Sequence, residues 1–200
     1  MVVAAGSGSR FGARKQYELL DGRRVVDWSV AAARAVAHGV VLVVPADRST
    51  EAEPSVDAVV AGGATRSESV RAGLAVVPAE AEVVVVHDAA RPWATPELFR
   101  AVVAALAGAD GAVPGVPVTD TVKRVSGSLV TSTLERSELV AVQTPQAFRA
   151  AALRRAHAQG ADATDDAALV EADGGVVVIV PGEAGNRKVT NASDLGPGRP

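Results

Sequence analysis

Two hundred residues, 48% of them hydrophobic, can bury a sizeable core, and the length favours one domain over 1–200. The absence of cysteine excludes disulfides, thiolate metal sites and a cysteine nucleophile, and three scattered histidines (38, 87 and 157) give zinc chemistry little support. A net charge of −3 gives no reason to expect nucleic-acid binding, and with no long apolar run or leader-like start a soluble cytoplasmic protein with no membrane partner is expected.

In chain order, residues 2–5 form a short apolar strand that runs into Gly6-Ser7-Gly8-Ser9-Arg10-Phe11-Gly12-Ala13-Arg14-Lys15. Glycine lets a backbone approach a ligand closely, and the N–H groups of such a loop make a concave nest for anions. Arg10 and Lys15 add the charge an oligophosphate needs. The spacing fails both common nucleotide loops. A dinucleotide fingerprint wants glycine where Phe11 stands, and a P-loop wants four residues between its glycines, whereas Gly8 and Gly12 enclose three. What remains is the strand, Gly-x-Gly-x-Arg and downstream lysine of sugar-nucleotide-type nucleotidyltransferases, or else an ordinary glycine turn.

Further strands are expected at 40–44, 83–86, 112–118 and 176–180, because β-branched runs that are apolar on both faces suit the interior of a mainly parallel sheet. Helices are expected at 25–37, at 68–77, and from Pro96 to about Leu106 with Thr95 as N-cap. Strands alternating with helices predict a doubly wound α/β fold, whose ligands sit beyond the carboxyl ends of the strands. That rule selects the loop 6–15 and the segment 87–92. Asp88, ending a buried strand, is placed to hold Mg²⁺ or to cap a helix, while His87 reads as a packed core residue. Asp165 and Asp166 suit the first turn of a helix ending near Asp173.

The alternation breaks between Asp120 and Glu135. Segments 121–125 and 129–134 flank Ser126-Gly127-Ser128 as a polar β-hairpin. A lone hairpin is marginal in water, so 119–136 is expected to be a protruding arm that packs on a second subunit.

Six segments, in this order and spacing, resemble the 2-C-methyl-D-erythritol 4-phosphate cytidylyltransferase family. They are the loop 6–15, Gly62-Gly63-Ala64-Thr65-Arg66-Ser67-Glu68-Ser69-Val70, His87-Asp88-Ala89-Ala90-Arg91-Pro92, Thr144-Pro145-Gln146, Thr164-Asp165-Asp166-Ala167 and Lys188-Val189-Thr190. The resemblance runs from Val2 to about Leu195. It implies a Rossmann-like nucleotidyltransferase fold and a Mg²⁺-dependent homodimer that makes a cytidine diphosphate alcohol from CTP in non-mevalonate isoprenoid synthesis. It also implies that Ala4, Ala5, Gly6, Gly8, Gly63, Ser69, Asp88 and Ala89 bind CTP, with Asp88 as metal ligand and Arg10, Lys15 and Lys188 as catalytic cations. For the acceptor, 2-C-methyl-D-erythritol 4-phosphate, it points to Arg91, Thr121, Arg136, Thr144, Thr164 and Lys188, Arg136 reaching into the partner's site.

Such a reaction needs no protein nucleophile, since a phosphomonoester is already mostly dianionic at neutral pH. Two features depart from the family: the loop before Lys15 is short, with Arg14 where relatives carry proline, and the chain starts almost at its first strand, as a trimmed N-terminus would. A ribitol 5-phosphate cytidylyltransferase is the nearest enzymatic alternative. A catalytically silent nucleotide-binding protein is the alternative from another class.

Overall fold

Side-chain alternation along the β-branched runs explains the architecture. In the computed structural model, which describes residues 1–6, 8 and 11–195, the elements are as follows. The first part holds β1 (Val2–Val3), a small hairpin of β2 (Leu19–Leu20) and β3 (Arg23–Arg24), α1 (Val25–Arg34), β4 (Val41–Val44), β5 (Ala58–Ala61), α2 (Arg66–Leu74), β6 (Val83–Asp88), α3 (Pro96–Ala104) and β7 (Gly111–Pro117). The remainder holds β8 (Lys123–Ser126), β9 (Leu129–Thr133), β10 (Val140–Val142), β11 (Gln146–Arg149), α4 (Ala150–Ala158), α5 (Asp166–Ala172) and β12 (Val177–Pro181).

Val2, Leu42 and Val44 face one side of the sheet, where they pack with Val26 and Val30 of α1 and Phe99 of α3. Val84, Val86 and Val113 face the other, against Val70 and Leu74 of α2, Leu153 of α4 and Val170 of α5. Burial on both faces is what the continuous apolar runs predict. The strand order is β10-β7-β11-β6-β1-β4-β5, with β12 on the other side of β7. Pairing is parallel for β1 with β4 and β6, for β4 with β5 and for β12 with β7; it is antiparallel around β10 and β11. This is the expected α/β doubly wound, mostly parallel sheet. No described helix is long and apolar enough to cross a membrane.

Several boundaries differ from the sequence reading for local reasons. Helix α2 starts at Arg66 rather than 68, because Thr65 and Glu68 form a reciprocal capping box: the Thr65 hydroxyl accepts from the Glu68 N–H at 3.1 Å, and Glu68 Oε2 accepts from the Thr65 N–H at 3.3 Å. Strand β6 runs past its valines to include His87 and Asp88, since pairing with β1 continues to Val3 opposite Asp88. Strand β11 carries Gln146 and Arg149 and so lacks an apolar run to announce it, yet it pairs with both β6 and β7.

The hairpin of β8 and β9 forms its own two-stranded sheet, turning at Gly127 with φ +58°. Every residue of both strands is exposed, Val125, Leu129 and Val130 among them.

Candidate active site

Register at the carboxyl edge of the sheet brings two loops together. Ala4 leaves β1 with its N–H on the Val43 carbonyl at 2.7 Å, and Ala89 leaves β6 with its N–H on the Val3 carbonyl at 3.0 Å. The glycine-rich loop and the residues after Asp88 therefore begin side by side. Buried Gln16 holds the first loop from beneath, its Nε2 donating to the carbonyls of Ala4 at 2.7 Å and Gly6 at 3.0 Å. Gly8 has φ +71°, and a Cβ there would lie 1.8 Å from the Ala13 carbonyl oxygen, so only glycine fits. The short loop then sorts its cations: Arg14 pairs with Asp47 at 2.7 Å, while Lys15 faces the cleft. Arg10 lies outside the described residues.

The opposite wall is the turn into α2. The Gly63 N–H donates to Ser69 Oγ at 3.2 Å, and that hydroxyl donates to the Thr65 carbonyl at 2.9 Å, which fixes the turn against its helix.

Asp88 is the electrostatic centre. Its Oδ2 accepts from Lys188 Nζ at 2.6 Å and its Oδ1 from Arg66 Nε at 3.3 Å. Burial pushes the carboxyl up, but the two cations outweigh it and hold the group well below the usual carboxylate range. Its backbone N–H donates to the Thr144 hydroxyl at 3.0 Å, and that hydroxyl donates in turn to His87 Nδ1 at 3.1 Å. This order assigns His87 the Nε2–H tautomer, which donates to the Arg91 carbonyl at 3.2 Å. Burial pushes the imidazole down to about 4, so it is neutral at pH 7.

Lys188 is delivered by a segment that hangs from one buried amide. Gln143 Nε2 donates to the Glu183 carbonyl at 2.8 Å, and its Oε1 accepts from the Glu183 N–H at 3.2 Å and from Asn186 Nδ2 at 3.3 Å. Asn186 Nδ2 also donates to the Thr144 carbonyl at 2.9 Å, and the Val189 N–H donates to the Ala90 carbonyl at 2.8 Å.

The result is a cleft of about 560 Å³, a size that suits a small ligand. It gathers the predicted residues Ala4, Ala5, Gly6, Gly8, Lys15, Gly63, Ser69, Asp88, Ala89 and Lys188, together with Phe11, Gln16, Thr65 and Arg66. Arg91, Thr121, Arg136, Thr144 and Thr164 are not in that lining. Arg91 Nη1 donates to the Asn186 carbonyl at 2.7 Å, and Thr144 is buried beneath Asp88. Thr121 and Thr164 are exposed, as is Arg136, whose Nη1 donates to the Thr119 carbonyl at 2.8 Å. A second groove of about 680 Å³, between Trp28 and Trp93, contains none of these residues.

Gln16, Gln143 and Asn186 were not singled out by sequence reasoning, nor was the pairing of Arg66 with Asp166, although both stand in quoted motifs. The signal for the first three is a polar side chain beside a motif residue: Gln16 follows Lys15, Gln143 precedes Thr144, and Asn186 lies two before Lys188.

The chain also resembles known proteins along almost its whole length. Residues 1–198 match the family described as IspD, 2-C-methyl-D-erythritol 4-phosphate cytidylyltransferase. The 2-C-methyl-D-erythritol 4-phosphate cytidylyltransferase of Parasynechococcus marenigrum is 41% identical, the match covering 98% of this chain and 93% of that protein. The bifunctional enzyme IspD/IspF of Nitratidesulfovibrio vulgaris is 44% identical over 98% of this chain but only 55% of its own length, so the chain spans about half of such relatives. Among solved structures, the 2-C-methyl-D-erythritol 4-phosphate cytidylyltransferase of Thermus thermophilus superposes with a TM-score of 0.81 at 35% identity, covering 97% of this chain and 93% of that one. With the loop, the Asp88 centre and Lys188 on one cleft and the match running almost end to end, the chain belongs to the 2-C-methyl-D-erythritol 4-phosphate cytidylyltransferase family.

Proposed function

We propose that this chain transfers the cytidylyl group of CTP to 2-C-methyl-D-erythritol 4-phosphate, releasing pyrophosphate, in non-mevalonate isoprenoid synthesis. The observation that carries the reading is the single cleft shared by a glycine-rich anion loop, Lys15, the Gly63–Ser69 turn, Asp88 and Lys188. A phosphate oxygen of the acceptor attacks the α-phosphorus in line. A new P–O bond forms as the bond to the β-phosphate oxygen breaks, and pyrophosphate departs with the electron pair. Two polyanions must meet, so neutralising charge and fixing orientation are the main tasks. Lys15 and Lys188, with Arg10, suit the first task. The neutral His87 suits a site whose nucleophile needs no base.

Among the described residues no group of three His, Cys, Asp or Glu side chains is assembled to hold a metal. One carboxylate in the cleft, Asp88, fits Mg²⁺ carried in by a triphosphate, because that ion keeps phosphate and water oxygens and takes one or two carboxylates from protein. When bound there, Mg²⁺ would screen the charge on the triphosphate.

The acceptor set is Arg91, Thr121, Arg136, Thr144, Thr164 and Lys188, with Arg91 and Thr144 acting as braces for the loop and strand that flank the acceptor. Thr121 and Arg136 stand at the base of the exposed hairpin, which supports a homodimer whose arms are exchanged. The cytoplasm, where CTP is available, is the proposed setting.

The test is pyrophosphate release. It should require CTP, 2-C-methyl-D-erythritol 4-phosphate and Mg²⁺ together. Equal turnover with ribitol 5-phosphate, or with ATP in place of CTP, would overturn the assignment, and CTP binding without turnover would point to a silent relative.

A further inference from the structure

Behind Asp88 lies a row of charges for which the reaction above has no task. Arg66 opens α2, and its Nη1 lies 2.8 Å from Oδ2 of Asp166, which opens α5. Asp166 is fully buried, and its Oδ1 lies 2.9 Å from Nε2 of His157, itself buried near the end of α4. The starts of α2 and α5 and the end of β6 thus meet around one guanidinium, and α4 joins them through Asp166.

Such a row is a poor way to gain stability. Well-packed apolar residues in place of a buried ion pair are often as stable or more so. The geometry offers another reason. Arg66 places Nε 3.3 Å from Asp88 and Nη1 2.8 Å from Asp166 at once, the second as an ion pair without a hydrogen bond, a span that the single ammonium of a lysine could not cover. Oδ1 of Asp88 is therefore held from the protein interior, while Oδ2 is held by Lys188, whose side chain is 42% exposed. A lysine that serves an incoming phosphate must give up that contact.

We propose that Arg66, braced by Asp166 and His157, is a positioning strut for Asp88. It keeps the carboxylate in its direction while Lys188 turns from Oδ2 to the substrate. The inference rests on the cytidylyl-transfer reading given above.

The decisive variant removes both charges together. Arg66→Met alone leaves the buried Asp166 without its arginine and against His157 only, and Tm should fall by about 10 °C. Arg66→Met/Asp166→Asn leaves an amide oxygen for His157 and should bring Tm back to within about 3 °C of wild type. If the strut positions Asp88, kcat in the double variant stays at least tenfold below wild type, while CTP affinity by calorimetry changes less than threefold. Recovery of kcat together with Tm would reduce the row to packing and overturn the proposal. A loss seen wholly as weaker CTP binding would make Arg66 a nucleotide contact and also overturn it. Should the double variant fail to fold, Arg66→Lys keeps the charge and loses the fork; a tenfold loss of kcat supports the strut and wild-type kcat refutes it. A crystal structure of the same variant needs no turnover. A rotated Asp88 carboxylate supports the strut and an unmoved one refutes it, whereas an inactive wild-type protein would count against the functional reading alone.

Discussion

Lys188 and Asp88 stand one hundred residues apart in sequence, and the ammonium of one donates to the carboxylate of the other at 2.6 Å. Each holds the other in the cleft before any substrate is present. Removing Asp88 therefore has two effects, loss of its own chemistry and release of Lys188, whereas removing Lys188 leaves Asp88 held at Oδ1 by Arg66. Lys188→Ala should lower kcat by on the order of 10² or more, and Lys15→Ala should do the same through the opposite wall. Asp88→Asn should raise the Mg²⁺ concentration needed for half-maximal rate. Steady-state kinetics with a metal titration reads all three, and wild-type curves from any variant would remove that residue from its role.

His87 makes stability depend on pH. Burial lowers its imidazole from 6.5 to about 4 in the fold. Between those values the unfolded chain binds a proton that the folded chain does not, so stability falls as pH drops through the window. It is full above pH 6.5 and levels off below about pH 4, for a loss on the order of 3 kcal/mol. Asp88 adds to this at lower pH. Its folded carboxyl is depressed, so its contribution is present above its ordinary value of 3.8 and disappears below it. Melting curves of metal-free wild type and His87→Gln, from pH 4 to 7, should differ in slope; parallel profiles would clear His87 of the effect.

Gly62 keeps two walls of the cleft in contact. A Cβ there would lie 2.3 Å from that of Ala5 and 2.7 Å from Ser69 Oγ. Gly62→Ala must push the glycine-rich loop away from the α2 turn, an overpacking that costs about 1–3 kcal/mol. The expected result is a KM for CTP raised by about tenfold with kcat within a factor of about three. Unaltered KM would mean that the two walls move independently.

The hairpin predicts sharing between subunits. Its apolar Val125, Leu129 and Val130 are exposed, and Arg136 sits just past its second strand. Arg136→Ala and Lys188→Ala should each be nearly inactive. If the two are unfolded together in equal amounts and refolded, half the dimers are mixed. In each of these one site receives intact Arg136 on a body with intact Lys188, so about a quarter of wild-type activity should return. Mixed dimers without activity would confine Arg136 to its own chain.

Much of this was legible in the sequence because it is written in local patterns. Valine runs announce buried strands, Thr95-Pro96-Glu97 announces a helix start, and the rule that ligands sit at strand ends pointed to both loops of the cleft. Strand β11 was not legible, since Gln146 and Arg149 owe their extended backbone to two neighbours distant in sequence. The same holds for the site. Gly8, Asp88 and Lys188 stand in recognisable motifs, and so do Arg66 and Asp166, but the contact between those two exists only because α2 and α5 start at the same point in space. Pairing across a hundred residues leaves no trace in spacing.

The Gln143 amide has a consequence for how this protein can change. Because Glu183 and Asn186 both hang from that one side chain, and Val189 is tied back to Ala90, the path from the sheet to Lys188 is fixed at three points. Between these points a residue such as Ala184 faces solvent and makes no hydrogen bond through its side chain. Position 184 is therefore open to substitution, while the segment is closed to insertion. One added residue between Asn186 and Lys188 would leave every side chain of the cleft present and move the ammonium off its mark.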